Sequence, residues 1–167
     1  GLLGAETSDP SNADSLSTAW GKLYRTDIIR NNHLEFVDTK IIGTEDALFN
    51  LFYFGFVHRA VFINSPFNHY RKDNEVSLTR SYKPKLFSQW NELYDRMEAY
   101  IKSNRLQEEF TAALNNRICF SMIGLGLTEL LNRDKKSRIR NIRKFLSTDR
   151  YRKAYNTLNI KYQKKNW

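Results

Sequence analysis

The chain reads as an α+β fold, predominantly helical, with a few short strands ahead of a helical C-terminal region. Three observations carry this. Seven glycines and three prolines in 167 residues leave little room for a loop-rich sandwich or a Gly-rich nucleotide cradle. Apolar residues step by three and four from Phe87 to Ile101 and again beyond Leu106. Short β-branched and aromatic runs, bounded by turn residues, fall before the change of character at Lys83-Pro84.

Residues 1–14 are small, polar and aperiodic and read as a tag- or linker-like segment; Ser11-Asn12-Ala13 resembles a vector-derived scar. Trp20, Leu23, Tyr24 and Ile28 give helical spacing from Ala19 to Ile29, and Asn31-Asn32 ends that helix because asparagine tolerates the left-handed conformation. A short extended piece, His33 to Val37, follows. Thr44 is a favourable N-cap for a second helix, with Glu45 and Asp46 where the helix dipole favours negative charge. Leu48, Leu51, Phe52 and Phe56 make that helix apolar on nearly all sides and so predict its burial. Arg59 to Asn64 reads as a strand, broken by Ser65-Pro66; Phe67 to Lys72 and Val76 to Thr79 read as short strands joined at Asp73-Asn74.

Beyond residue 83 the expected elements are helices. Phe87, Trp90, Tyr94, Met97 and Ile101 mark one face of the first. The second runs from Leu106 to Leu131, with Phe110, Leu114, Ile118, Leu125 and Leu130 inward and Gly124-Leu125-Gly126 packed closely. The basic tail continues as helix, with Ile139, Ile142 and Phe145-Leu146 opposite Arg140, Arg143 and Lys144, and Ser147-Thr148 caps a last segment to Leu158. The organisation expected is therefore 1–14 as tag or linker, 15–82 as a mixed α/β part and 83–167 as a helical part.

Charge is segregated. The formal charge is +9, and residues 133–167 hold 13 of the 27 Lys/Arg and two of the 18 acids, a balance of +11. The first 132 residues are left at −2, so any anionic partner meets the tail. One cysteine, Cys119, excludes an internal disulfide framework and a Cys-based zinc site, and points to a reducing compartment. The most apolar run, Ile118 to Leu131, is shorter than the roughly 20 residues a membrane span needs. A cytoplasmic location is expected, peripheral at the inner membrane face if the basic helices rest on anionic head groups.

Familiar catalytic signatures such as GxSxG, HExxH, the P-loop and GxGxxG are absent, and His33, His58 and His69 lie on three different elements. One segment stands out. Gly43-Thr44-Glu45-Asp46 sets two adjacent carboxylates on the first turn of an apolar helix. That arrangement suits either dipole-complementing acids or a general base held at a pocket floor.

Three blocks resemble the bacterial family 2 inverting glycosyltransferases of GT-A fold, which build capsule, lipopolysaccharide and exopolysaccharide. Trp20-Gly21-Lys22-Leu23-Tyr24-Arg25 is similar to the family's aromatic-x-Lys-Leu-Tyr segment; Gly43-Thr44-Glu45-Asp46 to its Glu-Asp motif; and His69-Tyr70-Arg71 with Val76-Ser77-Leu78-Thr79 to its Tyr-Arg…Ser-x-Thr strands. They cover roughly residues 17–80, in the family's order. The resemblance implies that residues 15–82 are the C-terminal, acceptor-side half of a GT-A domain. It implies that Asp46 is the catalytic base with Glu45 supporting it, and that Trp20 and Lys22 serve the acceptor sugar. His69, Arg71 and Ser77 would lie near the donor diphosphate, with His69 the one residue here suited to touch its metal. The family's Asp-x-Asp, which holds a divalent Mg or Mn, occurs nowhere in the chain. The resemblance thus implies an excised part, inactive alone, without bound metal, and self-associating through uncovered apolar surface around residues 49–62. Nucleotide-sugar and a saccharide or lipid-linked acceptor would be substrates of the intact enzyme.

Two rivals share the sequence. The +11 tail with Tyr151, Tyr155, Tyr162 and Trp167 suits a nucleic-acid- or membrane-binding module, although no nucleic-acid reader motif is present and that partner is disfavoured. A helical interaction scaffold would leave the Glu-Asp and Tyr-Arg segments without a purpose.

Overall fold

A computed structural model describes residues 17–67, 81–106 and 108–158. Among the described residues the helices in order are α1 (Thr26–Asn31), α2 (Thr39–Ile42), α3 (Glu45–Phe54), α4 (Leu86–Ser103), α5 (Glu108–Leu130), α6 (Lys135–Ser147) and α7 (Asp149–Asn156). The predominantly helical expectation holds.

The expected strands do not appear among the described residues. Residues 59–64 run without a ladder, and Val61 and Phe62 are each 88% exposed. A strand needs a neighbour to take its alternate N–H and C=O groups, and no described segment offers one. The strands expected at 67–72 and 76–79 lie outside the described residues, Phe67 apart.

Helices α4 and α5 form the centre. Leu86, Leu93, Tyr94, Met97 and Ile101 are the buried stripe of α4, with Phe87 and Trp90 packed against the core beside it. Helix α5 buries Ala113, Leu114, Ile118, Cys119 and Leu125. Helices α6 and α7 close over α5 and over each other, bringing Phe145, Tyr151 and Ala154 into the same core. On the other side α2 and α3 lie against α4 and contribute Ile42, Ala47, Leu48 and Leu51. The core therefore runs across the sequence division at 82/83.

Several local expectations need correction. The first helix begins at Thr26, not Ala19, because Gly21 takes a left-handed turn at φ 74° that no helix accommodates. Its end does fall at Asn31-Asn32, but the left-handed residue is His33, at φ 49°, while Asn32 Nδ2 donates to Ile28 O at 2.9 Å. Leu130 is 59% exposed and faces away from the core. Only half of the Gly124–Gly126 pair is closely packed: a Cβ on Gly124 would stand 2.8 Å from Trp90 Cη2, whereas Gly126 has nothing within 4 Å. The basic tail is helical as expected, from residues 135 to 156. Asp134 starts α6 afresh, its Oδ1 accepting from Lys136 N at 3.0 Å and its Oδ2 from Ser137 Oγ at 2.6 Å.

Candidate functional site

The corner between α2 and α3 is built around Gly43. Its φ of 69° closes α2 with a left-handed residue, and a Cβ there would meet the Gln89 side chain at 3.3 Å. Gln89 Nε2 donates to Thr39 O and Lys40 O, each at 3.1 Å, satisfying carbonyls at the end of α2 from across α4. Thr44 precedes α3 as the sequence predicts, yet its side chain does not cap the helix. Its Oγ1 accepts from Trp90 Nε1 at 3.0 Å, which fastens the start of α3 to α4. The first turn of α3 then presents Glu45 and Asp46, both half-buried.

One face of α3 clamps the segment 17–25. Asp46 Oδ2 accepts from Ala19 N at 3.0 Å. One turn on, fully buried Asn50 donates through Nδ2 to Ser17 O (2.8 Å) and Thr18 O (3.1 Å) and accepts through Oδ1 from Tyr24 Oη (2.8 Å). Tyr53 Oη accepts from Arg25 N at 2.8 Å, and the Tyr24 ring meets Phe49 and Tyr53 edge-on at 5.6 and 4.9 Å. Residues 46, 50 and 53 share a face by helical spacing. Asn50 and Tyr53 are the site residues that sequence reasoning missed. Their signal was present as polar groups at i+4 and i+7 from Asp46 on an otherwise apolar helix.

The clamp brings three of the expected site residues together. Lys22 is half-buried; its Nζ donates to Thr18 O, burial pushes its pKa below the ordinary lysine value, and the Asp46 carboxylate opposes that shift. Trp20, in the same turn, is 58% exposed and adjoins Ala19, on which Asp46 is anchored. Asp46 uses one oxygen to hold the loop, and its Oδ1 makes no hydrogen bond among the described residues. Burial, with a smaller contribution from Asp46, raises the Tyr24 phenol above its usual value, so that hydroxyl stays a donor. His69, Arg71 and Ser77 lie outside the described residues.

Among the described residues no group of three or more His, Cys, Asp or Glu side chains converges in a way that could hold a metal.

A second polar cluster sits where α5 meets α6. Glu129 is buried and makes no ion pair among the described residues. Its carboxylate accepts from Tyr82 Oη (3.3 Å), Asn132 Nδ2 (3.2 Å) and Asn141 Nδ2 (3.2 Å to each oxygen). The cleft alongside, about 80 Å³, is lined by Lys83, Phe87, Thr128, Glu129, Asn141 and Lys144. Neutral donors saturate this carboxylate, which ties Tyr82 and α6 to α5 and leaves little to bind a substrate.

No protein-family model, no curated protein and no solved structure matches this chain, so the reading of the site rests on its own residues.

Proposed function

We propose that this chain is the acceptor-side part of an inverting glycosyltransferase that moves a sugar from a nucleotide-sugar to a saccharide or lipid-linked acceptor. One observation carries the reading. The Trp20-x-Lys22-Leu23-Tyr24 segment and the Glu45-Asp46 pair, some 25 residues apart, close on one another, with the Asp46 carboxylate accepting from Ala19 N and within Coulombic reach of Lys22. A half-buried carboxylate with one oxygen fixed and the other uncommitted suits a general base. An exposed indole beside it suits the face of a sugar ring. The exposed apolar residues Val61, Phe62, Ile63 and Phe67 suit a surface that another part of the enzyme covers.

In the proposed reaction Asp46 Oδ1 takes the proton of an acceptor hydroxyl as that oxygen attacks the anomeric carbon. The bond from the anomeric carbon to the nucleotide diphosphate breaks on the opposite face, the diphosphate leaves with the electron pair, and configuration inverts. Lys22, whose Nζ donates to Thr18 O, places a positive charge within Coulombic reach of the Asp46 carboxylate. Tyr24, Asn50 and Tyr53 are positioning residues that fix the loop carrying Trp20 and Lys22.

Asp46→Asn tests the reading because the amide oxygen can still accept from Ala19 N while the proton acceptor is lost. In the enzyme that includes the donor-binding half, transfer falls by roughly 10²–10⁴-fold, the range of a general base, while donor binding and folding stability stay close to wild type. Turnover retained in that variant removes Asp46 from the mechanism.

A further inference from the structure

Helix α5 is apolar on more than its core side. Ile123, Leu127 and Leu130 are 50%, 59% and 59% exposed, follow one another at i, i+4 and i+7, and lie opposite the buried Leu114, Ile118 and Leu125. The stripe ends at the turn into α6, where Leu131 is also exposed. Helix α6 adds exposed Ile139 and Leu146. Ile142 and Phe145, which the sequence had placed with them, pack into the core instead.

Exposed charge lies on α6, on α7 and at the turn between α5 and α6. Arg133, Lys135, Lys136, Arg140, Arg143, Lys144, Arg152 and Lys153 are exposed between residues 133 and 158, against only Asp134 and Asp149. None of these eight cations is in an ion pair among the described residues; Arg150, the tail cation that is, belongs to the half-buried set. No described helix is long and apolar enough to cross a membrane.

We propose that the α5–α6 face docks on the surface of an anionic lipid bilayer. The exposed leucines and isoleucines enter the boundary between head groups and acyl chains, and the cations contact the phosphates. An anionic bilayer satisfies both features at once. A second copy would set one cationic face against another, and a nucleic acid would leave the apolar stripe in water. This inference does not depend on glycosyl transfer.

Co-sedimentation of the full chain with vesicles tests it. The chain pellets with phosphatidylcholine mixed with an equal amount of phosphatidylglycerol and stays in solution with phosphatidylcholine alone. Leu127→Ser with Leu130→Ser lowers the partition by about tenfold or more, and Arg140→Glu with Arg143→Glu abolishes it. Because these side chains are exposed, circular dichroism of both variants matches wild type. As an independent readout, Leu127→Cys carrying an environment-sensitive dye shifts its emission to the blue on the anionic vesicles only. Three results each overturn the proposal: partition to neither vesicle, partition of the serine variant equal to wild type, or a lipid-independent dimer that the serine variant converts to monomer. Steeply salt-dependent oligonucleotide binding without lipid partition overturns it as well and assigns the cations to nucleic acid.

Discussion

Two glycines two residues apart on α5, Gly124 and Gly126, should respond to the same substitution with opposite sign. Alanine in a helix interior is worth about 1 kcal/mol over glycine. At Gly126 nothing lies within 4 Å of the new methyl, so that gain is unopposed. At Gly124 the methyl would stand 2.8 Å from Trp90 Cη2 and 3.3 Å from Cζ3. The indole cannot swing aside freely, because its Nε1 is bonded to Thr44 Oγ1 at 3.0 Å. Overpacking of this kind costs about 1–3 kcal/mol, which outweighs the propensity gain and leaves Gly124→Ala about 1 kcal/mol less stable than wild type. Urea unfolding monitored by far-ultraviolet circular dichroism should therefore separate the two variants by about 2 kcal/mol. The clash also has a partner that can be released. In a Thr44→Val background the indole regains freedom, and the Gly124→Ala penalty should shrink. Equal stabilisation by both alanines would refute the close approach of α4 to α5 at Trp90, and with it the anchoring of α3's first turn.

Three further outcomes follow from named contacts. Asn50→Ala removes three hydrogen bonds from a buried site, so it should cost about 2–4 kcal/mol in urea unfolding and expose residues 17–25 to limited proteolysis. Arg150→Met should cost about 2 kcal/mol, mostly through the bonds to Asn91 O (3.0 Å) and Oδ1 (2.9 Å); the exposed acids Asp95 and Glu98 add little, so the loss should persist in molar salt. Tyr151 is buried beside Ser121 without a well-formed hydrogen bond, and burial raises its phenol far above the ordinary value of 10.0. A raised folded-state pKa means that stability is intact below pH 10 and is lost as the unfolded chain ionises above it. Tyr151→Phe should flatten that alkaline decline in a series of unfolding curves while changing stability at neutral pH only slightly.

The long helices were legible because α4 and α5 carry enough apolar residues at regular spacing to outvote local accidents, and their ends fell within a few residues of the expected ones. Helix α3 was legible for another reason: Thr44, Glu45 and Asp46 mark its start whether or not Thr44 caps it. What the sequence concealed was partner-dependent. Arg59 to Asn64 has strand composition, but composition cannot supply the neighbour that turns an extended run into a ladder. Gly124 and Gly126 look alike along the chain and differ only in whether Trp90 arrives. Of the clamp, Asp46 was visible as an acid on a first turn, whereas Asn50 and Tyr53 looked like interruptions of an apolar helix until the loop they hold was in place.

That clamp bears on why position 46 is a carboxylate at all. Holding Ala19 N needs only an acceptor oxygen, which an asparagine would supply at lower desolvation cost. Complementing the dipole of α3 needs a negative charge, and Glu45 already provides one in the same turn. Asn50 and Tyr53 do most of the anchoring of residues 17–25 without any charge. A second half-buried anion, beside a lysine whose ammonium burial disfavours, adds nothing to the fold that its neighbours do not already give. What it adds is a proton acceptor with a fixed direction and a free lone pair, next to an exposed indole. The proposed role as general base rests on that uncommitted oxygen, and it is the property that Asp46→Asn removes while leaving the clamp in place.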